Sequence, residues 1–250
     1  MSLNLKGNGR AIAKLGGPSF HSQLIYVDPT DTTGMKVINT QKKGEGSILT
    51  QVPSIDTRET LYIAGRSGSG KSTYAKEYIK NYSKLFPDNK IYLISKVDDD
   101  EAFKDLKNII KINQDLFDPE NDEETDYDAK QFQNCLVIFD DIDQFIEKIK
   151  KKISLLRDQL LEIGRHDNVY VISTSHLLTN YKHTRVLLNE AHSVTFFPQS
   201  GFYNIERYLK QYAGLSNENI NQIKISKSRW VTVFQSYPQV IMEEHKIYIP

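Results

Sequence analysis

The sequence has 250 residues, 39% of them hydrophobic, and its 32 basic and 32 acidic residues give a formal net charge of zero. This size suffices for one α/β core with a small appended element, and the balanced charge does not by itself indicate a nucleic-acid-binding protein. The single cysteine, Cys135, excludes a disulfide framework within the chain, and no apolar stretch approaches the length of about 20 residues that spans a bilayer. We therefore expect a soluble protein without a membrane span that is not secreted.

Residues 1–58 differ in composition from the rest of the chain. They are rich in Gly, Thr, Lys and Pro and contain two short strand candidates, at 23–27 and 35–38. We expect an N-terminal arm or small β-flap here, followed by a P-loop ATPase domain over residues 59–250 that includes a C-terminal helical segment and hairpin. In this second part, short apolar runs alternate with helical patterns, which is typical of βαβ units and a parallel sheet.

A phosphate-binding loop, or P-loop, follows the first of these apolar runs. Residues 65–73 read GRSGSGKST, between a predicted strand at 61–64 and a helical pattern. Glycines let backbone N–H groups surround phosphates, Lys71 neutralises the β- and γ-phosphates, and the Ser72 hydroxyl binds Mg²⁺. The alternative, a flexible Gly/Ser-rich turn, is disfavoured by the strand and helix on either side. With ATP and Mg²⁺ as ligands, the predicted binding residues are Gly65, Ser67, Gly68, Ser69, Gly70, Lys71, Ser72 and Thr73.

A second predicted strand end brings two carboxylates to the nucleotide. The apolar run 135–139 is followed by Asp140 and Asp141, at the edge of the sheet where ligands of open α/β folds bind. In this Walker B arrangement, Asp140 holds Mg²⁺ through water, and Asp141 orients or deprotonates the attacking water. The alternative is that the acids cap the helix predicted over 142–163.

Further strands are predicted at 91–94, 109–112, 169–172 and 194–197. A terminal hairpin is predicted at 229–234 and 239–242, and a solvated acidic loop at 115–128.

Two further groups are candidates for contact with the γ-phosphate. If the strand after the acids lies between those that carry the P-loop and the acids, Ser175 or His176 at its end can sense the phosphate, although His176 is equally read as a surface or helix-terminal residue. An arginine supplied by a neighbouring subunit is the usual device for stabilising phosphoryl transfer. Arg165, Arg185 and Arg229 are the candidates, and for each a surface ion pair is the alternative.

The stretches GRSGSGKST, LVIFDDID and GRHDNVYVISTSH, followed by an apolar helix and strand, resemble the FtsK/HerA superfamily of DNA-pumping ATPases. Within it, residues 59–200 look most like the poxvirus-type genome-packaging ATPases of large DNA viruses. The resemblance implies a RecA-like P-loop NTPase: a mainly parallel central sheet flanked by helices, here with a C-terminal β-hairpin. It also implies a homo-oligomeric ring with ATP sites at subunit borders and double-stranded DNA at its centre. Asp141 and His176 stand where that superfamily commonly has glutamate and glutamine.

The expected function is an ATP-hydrolysing motor that translocates double-stranded DNA and packages a viral genome. Its location would then be the host cytoplasm, a virus factory or the virion, with capsid proteins as further partners. One alternative is a nucleotide-binding switch or virion assembly protein with weak ATPase activity. Asp141 and His176, which differ from the residues common in the superfamily, keep this alternative open. A small-molecule kinase is disfavoured because no clustered arginines follow that could form a lid over the phosphates. The predicted catalytic residues are Lys71, Asp141, Arg165 and His176, and the predicted metal ligands are Ser72 and Asp140.

Overall fold

The computed structural model describes residues 1–16, 23–41, 47–97, 102–106, 108–118, 128–180 and 184–250, which form two β-sheets and five α-helices. Most of the predicted acidic loop, residues 119–127, lies outside this range. The helices are α1 (Lys71–Leu85), α2 (Glu147–Ile163), α3 (Arg185–Glu190), α4 (Phe202–Gln211) and α5 (Asn217–Ile225). None of the helices in the described part of the chain is both long and apolar enough to cross a membrane.

The larger sheet contains ten strands, in the order β4-β14-β13-β12-β11-β6-β10-β9-β7-β8. These strands are β4 (Val37–Asn39), β6 (Thr60–Ala64), β7 (Lys90–Ser95), β8 (Ile109–Lys111), β9 (Cys135–Asp140), β10 (Val169–Ser175), β11 (Ser193–Phe196), β12 (Val231–Phe234), β13 (Val240–Glu243) and β14 (Lys246–Tyr248). The run from β11 to β8 is parallel, and β12, β13, β14 and β4 extend it antiparallel. This confirms the predicted α/β class, with a mainly parallel sheet and a C-terminal hairpin.

The central strands are apolar throughout because both faces of the sheet are buried. In β6, Tyr62 packs into the hydrophobic cluster that also contains Leu160 of α2, whereas Ile63 packs into the opposite cluster with Tyr78 of α1. Successive side chains of a strand point to opposite faces, so a strand covered on both sides reads as a continuous apolar run. This is why the positions of these strands could be predicted.

The remaining four strands form a smaller antiparallel sheet, in the order β1-β3-β2-β5. They are β1 (Ser2–Asn4), β2 (Arg10–Gly16), β3 (Gln23–Asp28) and β5 (Ile48–Gln51). Ile12 and Ile25 of this sheet belong to the same buried cluster as Tyr78 of α1, while β4, from the same part of the chain, pairs with β14. The predicted N-terminal strands therefore exist, and they pack against the core of the large sheet. The division of the chain at residue 58 stays a prediction.

The predicted helix over 142–163 begins later than expected. Ile142–Gln144 form a 3-10 turn, and α2 starts only at Glu147. Between them, Phe145 and Ile146 have ψ values of 155° and 149°, which are extended, and Phe145 is buried where Ile146 is exposed. The regular spacing of apolar residues continues across this break because Phe145 reaches the core from an extended backbone.

A buried arginine ties the large sheet to α2. Arg58, directly before β6, donates hydrogen bonds to the carbonyl oxygens of Leu160 (2.8 Å) and Leu161 (2.6 Å) in the last turn of α2, and to that of Val169 (3.3 Å) in β10. The last carbonyls of a helix lack partners within the helix and carry its negative dipole end, so a cation stabilises them. This contact fixes the amino-terminal edge of the sheet, opposite the P-loop.

We expect Glu59 to make the stability of the fold depend on pH. Burial raises the pKa of Glu59 from 4.5 to about 7, although its carboxylate accepts a hydrogen bond from Tyr78 and lies 3.9 Å from Arg10. The folded state then keeps a proton that the unfolded state releases, so the free energy of unfolding should fall by up to about 3 kcal/mol as the pH rises from about 4.5 through 7. Denaturant titrations at pH 5 and pH 8 measure this difference in the free energy of unfolding, and Glu59→Gln should make it smaller. Glu162→Gln, at an exposed position, should leave the difference unchanged. If Glu59→Gln shows the same pH dependence as wild type, the prediction is contradicted.

Candidate functional site

The loop between β6 and α1 has a backbone shape that depends on glycine. Gly70, directly before α1, has a φ of 112°, a conformation that residues with a Cβ rarely adopt. A Cβ on Gly65 would lie 2.6 Å from both the Phe197 ring and the Ser69 hydroxyl oxygen. That oxygen is buried and has no hydrogen-bond partner among the described residues, so it can bind a phosphate oxygen that enters the loop. The free N–H groups at the start of α1 add to this anion site, which fits the triphosphate predicted there.

Lys71, Asp141 and His176 meet at the carboxyl edge of the sheet. The buried Lys71 Nζ donates to the carbonyl oxygen of Gly65 (3.1 Å) and lies 3.4 Å from Asp141 Oδ2. His176 Nε2 is 3.3 Å from the same carboxylate oxygen. Three of the four predicted catalytic residues thus form one cluster, and the fourth, Arg165, does not belong to it.

The placement of β10 makes this cluster possible. It pairs in parallel with β6 on one side and with β9 on the other, with Ser175 opposite Ala64 and Ser173 opposite Phe139. The three strands therefore end together, as the interpretation of His176 as a phosphate sensor requires. Ser175, the other sensor candidate, donates to Asp143 Oδ2 (3.1 Å), outside this cluster.

The acids at the end of β9 are held by Thr174, which had no predicted role. Its hydroxyl accepts a hydrogen bond from the Asp141 backbone N–H (2.9 Å) and lies within donating distance of Asp140 Oδ1 (2.8 Å) and Asp141 Oδ1 (3.3 Å). Asp141 has a φ of 43°, in the left-handed region that costs most residues about 1–2 kcal/mol and that aspartate tolerates better. Thr174 stabilises this turn. The sequence feature that could have identified Thr174 is its position: it is a hydroxyl residue at the end of the apolar strand that follows the acids.

The predicted metal ligands have suitable chemistry. Ser72 lies in the first turn of α1, and Asp140 is buried at the end of β9, where Ser95 of β7 also approaches its carboxylate, at 3.5 Å. A hydroxyl and a carboxylate are the oxygen ligands with which proteins hold Mg²⁺ together with nucleotide phosphates. The pair therefore fits the ion that accompanies ATP.

The three candidate arginines lie in different places. Arg165 is exposed and precedes β10, at the edge of the sheet opposite the P-loop, so it cannot reach the site of its own chain. Arg185 is also exposed, at the first residue of α3. Arg229 lies on the P-loop of its own chain. Its Nε donates to the carbonyl oxygen of Ser69 (3.3 Å), and a Cβ on Gly70 would be 3.2 Å from its guanidinium.

The chain is similar in sequence to known proteins. Residues 57–201, more than half of the chain, match the family described as an AAA domain. Uncharacterized protein V3 of Sputnik virophage is 41% identical over 247 residues, which cover 97% of this chain and 96% of that protein.

A solved structure of an ATPase shows the shared fold. The cytoplasmic domain of the type VII secretion ATPase EccC from Thermomonospora curvata has a TM-score of 0.52 at 13% identity, over 88% of this chain and 30% of that one. The genome packaging NTPase B204 of Sulfolobus turreted icosahedral virus 2, in complex with ATP-gammaS, has a TM-score of 0.49 at 16% identity, over 77% of this chain and 98% of that one. The predicted P-loop ATPase fold is confirmed.

We expect Thr174→Val to destabilise the folded protein by about 1–3 kcal/mol, because the Asp141 N–H and the buried Asp140 carboxylate then lose a partner. Thr174→Ser keeps the hydroxyl and should remain within about 1 kcal/mol of wild type. The measurement is the free energy of unfolding from urea titrations. Equal stabilities of the valine and serine variants would show that the hydroxyl does not hold the acids.

Proposed function

Because the chain belongs to the AAA domain family, we propose that it hydrolyses ATP and uses this reaction to move double-stranded DNA, in the packaging of a viral genome. The observation that carries hydrolysis is that Lys71 Nζ and His176 Nε2 both contact one oxygen of Asp141, at 3.4 and 3.3 Å. This contact supports roles for Lys71 as a phosphate-binding cation, Asp141 as a carboxylate base and His176 as a hydrogen-bonding imidazole.

These residues divide the reaction between them. Lys71 exchanges its contact with Asp141 for the β- and γ-phosphate oxygens when ATP binds, which frees the carboxylate. Asp141 then orients a water molecule toward the γ-phosphorus and accepts its proton, as ATP and water become ADP and phosphate. His176, next to Asp141, contacts the γ-phosphate and reports its presence. Ser72 and Asp140 would hold the Mg²⁺ that accompanies ATP, and this ion would neutralise phosphate charge.

Oligomerisation belongs to the same proposal. Arg165 and Arg185 are exposed, and Arg165 lies at the sheet edge opposite its own P-loop, so it can meet a nucleotide only in a neighbouring copy. A ring of identical subunits with nucleotide sites at its borders would give such an arginine its target. The resemblance to DNA-pumping ATPases supports DNA as the transported molecule, and the virophage relative supports a viral role.

We expect Asp141→Asn to keep ATP binding and to lower ATP turnover at least about 100-fold, because the amide cannot accept the proton of the attacking water. Lys71→Ala should lose ATP binding itself. Asp143→Asn is the matched control, since Asp143 is a nearby carboxylate that contacts Ser175 and Lys150 instead. Phosphate release and the affinity for a fluorescent ATP analogue are the measurements. Wild-type turnover by Asp141→Asn would refute the assigned role, and tight binding without turnover by the wild-type protein would favour the nucleotide-dependent switch.

We expect duplex DNA to raise the rate of ATP hydrolysis, and the stimulation to weaken as salt is added, because contacts to phosphates release counterions. Free phosphate should be the product in the presence of nucleosides, whereas phosphate transferred to a nucleoside would favour a kinase. ATP hydrolysis by Asp141→Asn in the presence of DNA gives the background rate for this comparison. No stimulation across a range of salt and protein concentrations would remove the DNA part of the proposal and leave the ATPase.

A further inference from the structure

A cavity adjoins the P-loop on the side away from the catalytic cluster. It has a volume of about 200 Å³ and lies between α1 and the C-terminal hairpin. Gly70 and Thr73, from the end of the P-loop, line one wall, and Arg229, Trp230 and Glu244 line the other. None of the residues in this cleft belongs to the cluster of Lys71, Asp141 and His176.

The strand order indicates on which side of β6 each end of a bound nucleotide lies. On one side of β6 lie β10 and β9, which carry His176 and Asp141, and on the other lie β11, β12 and β13. The γ-phosphate end belongs beside the catalytic cluster, so the rest of the nucleotide must leave the P-loop on the other side of β6. The cleft opens there, at the hairpin, next to Gly70 and Thr73.

The walls of the cleft suit a nucleoside. Phe197 and Trp230 give it an apolar surface, and Trp230 is held edge-on against Tyr74, with ring centroids 4.9 Å apart. Ile48, which is 45% exposed, borders the opening. Flat apolar surfaces pack against the face of a base, and a few polar groups then fix its orientation.

The polar groups come as a pair, of which Arg229 contacts the P-loop. The Arg229 guanidinium donates to the Ser69 carbonyl oxygen (3.3 Å), and the Arg229 backbone N–H donates to Glu244 Oε2 (2.7 Å). The guanidinium can donate to the sugar, the base or the α-phosphate, and the Glu244 carboxylate can accept from ribose hydroxyls or an exocyclic amino group. Together they offer both kinds of hydrogen bond along one wall.

We propose that this cleft binds the base and ribose of the nucleoside triphosphate, and that Arg229 and Glu244 determine its affinity for the nucleoside. The inference rests on the proposed ATP site and specifies the half of that site which the catalytic cluster does not supply. Arg229 then acts on the nucleotide of its own chain, and the trans-acting arginine is Arg165 or Arg185.

The test compares ATP with tripolyphosphate, which carries the phosphates without a nucleoside, by calorimetry in the presence of Mg²⁺. Wild-type protein should bind ATP at least about tenfold more tightly than tripolyphosphate. ATP should also change the fluorescence of Trp230, the single tryptophan of the chain, and tripolyphosphate should not. Equal affinities for the two ligands, or the same fluorescence response to both, would overturn the proposal.

Variants distinguish nucleoside binding in the cleft from phosphate binding at the P-loop. Glu244→Ala, and Ile48→Phe, which narrows the opening from an exposed position, should each weaken ATP binding about tenfold and change tripolyphosphate binding less than about threefold. Ile55→Phe adds the same ring at an exposed position outside the cleft and should bind ATP as wild type does. If the two cleft variants bind ATP normally while Lys71→Ala does not, the P-loop function stands and the cleft proposal falls. If wild-type protein binds neither ligand, both fall together.

Discussion

The site depends on the in-register parallel pairing of β6, β10 and β9. Each strand is followed by a different part of the chemistry: the P-loop with Lys71 after β6, His176 after β10, and Asp141 after β9. Because parallel strands in register end at one edge of the sheet, three segments far apart in the sequence meet within hydrogen-bonding distance. A shift of β10 by one residue would turn its side chains to the opposite face and separate Thr174 from the acids.

Burial gives this edge its electrostatic character. Lys71 is 6% exposed and Asp140 is 5% exposed, so both have lost most of their hydration. A buried charge is tolerated only when it is paired and hydrogen-bonded, and here Asp141, the Gly65 carbonyl and Thr174 supply the partners. Lys71 and Asp141 thus compensate each other's charge, and in the proposed reaction the triphosphate takes over the lysine.

The sequence predicted the parts of the site that local rules govern. The P-loop spacing, the acids after an apolar run and the strands buried on both faces all follow from patterns within a few residues. The polar end of β10 was predicted, but no role for Thr174 was, because its contacts with Asp140 and Asp141 exist only when β10 pairs beside β9. Contacts between distant segments were equally out of reach. The contact of Arg229 with Ser69 joins residues 160 positions apart and exists only once the hairpin has docked beside β11.

That hairpin connects the nucleotide site to the N-terminal strands. The turn that follows it, at Glu244 and His245, accepts backbone hydrogen bonds from Leu49 (2.8 Å) and Thr40 (2.8 Å), and β14 beyond this turn pairs with β4. Glu244 in turn holds the backbone of Arg229, whose guanidinium lies on the P-loop. A displacement of the N-terminal strands would therefore move Glu244 and Arg229 with them. In the proposed nucleotide site, hydrogen bonds thus link Thr40 and Leu49 to the nucleoside end, whereas the residues of the γ-phosphate end follow strands of the central sheet.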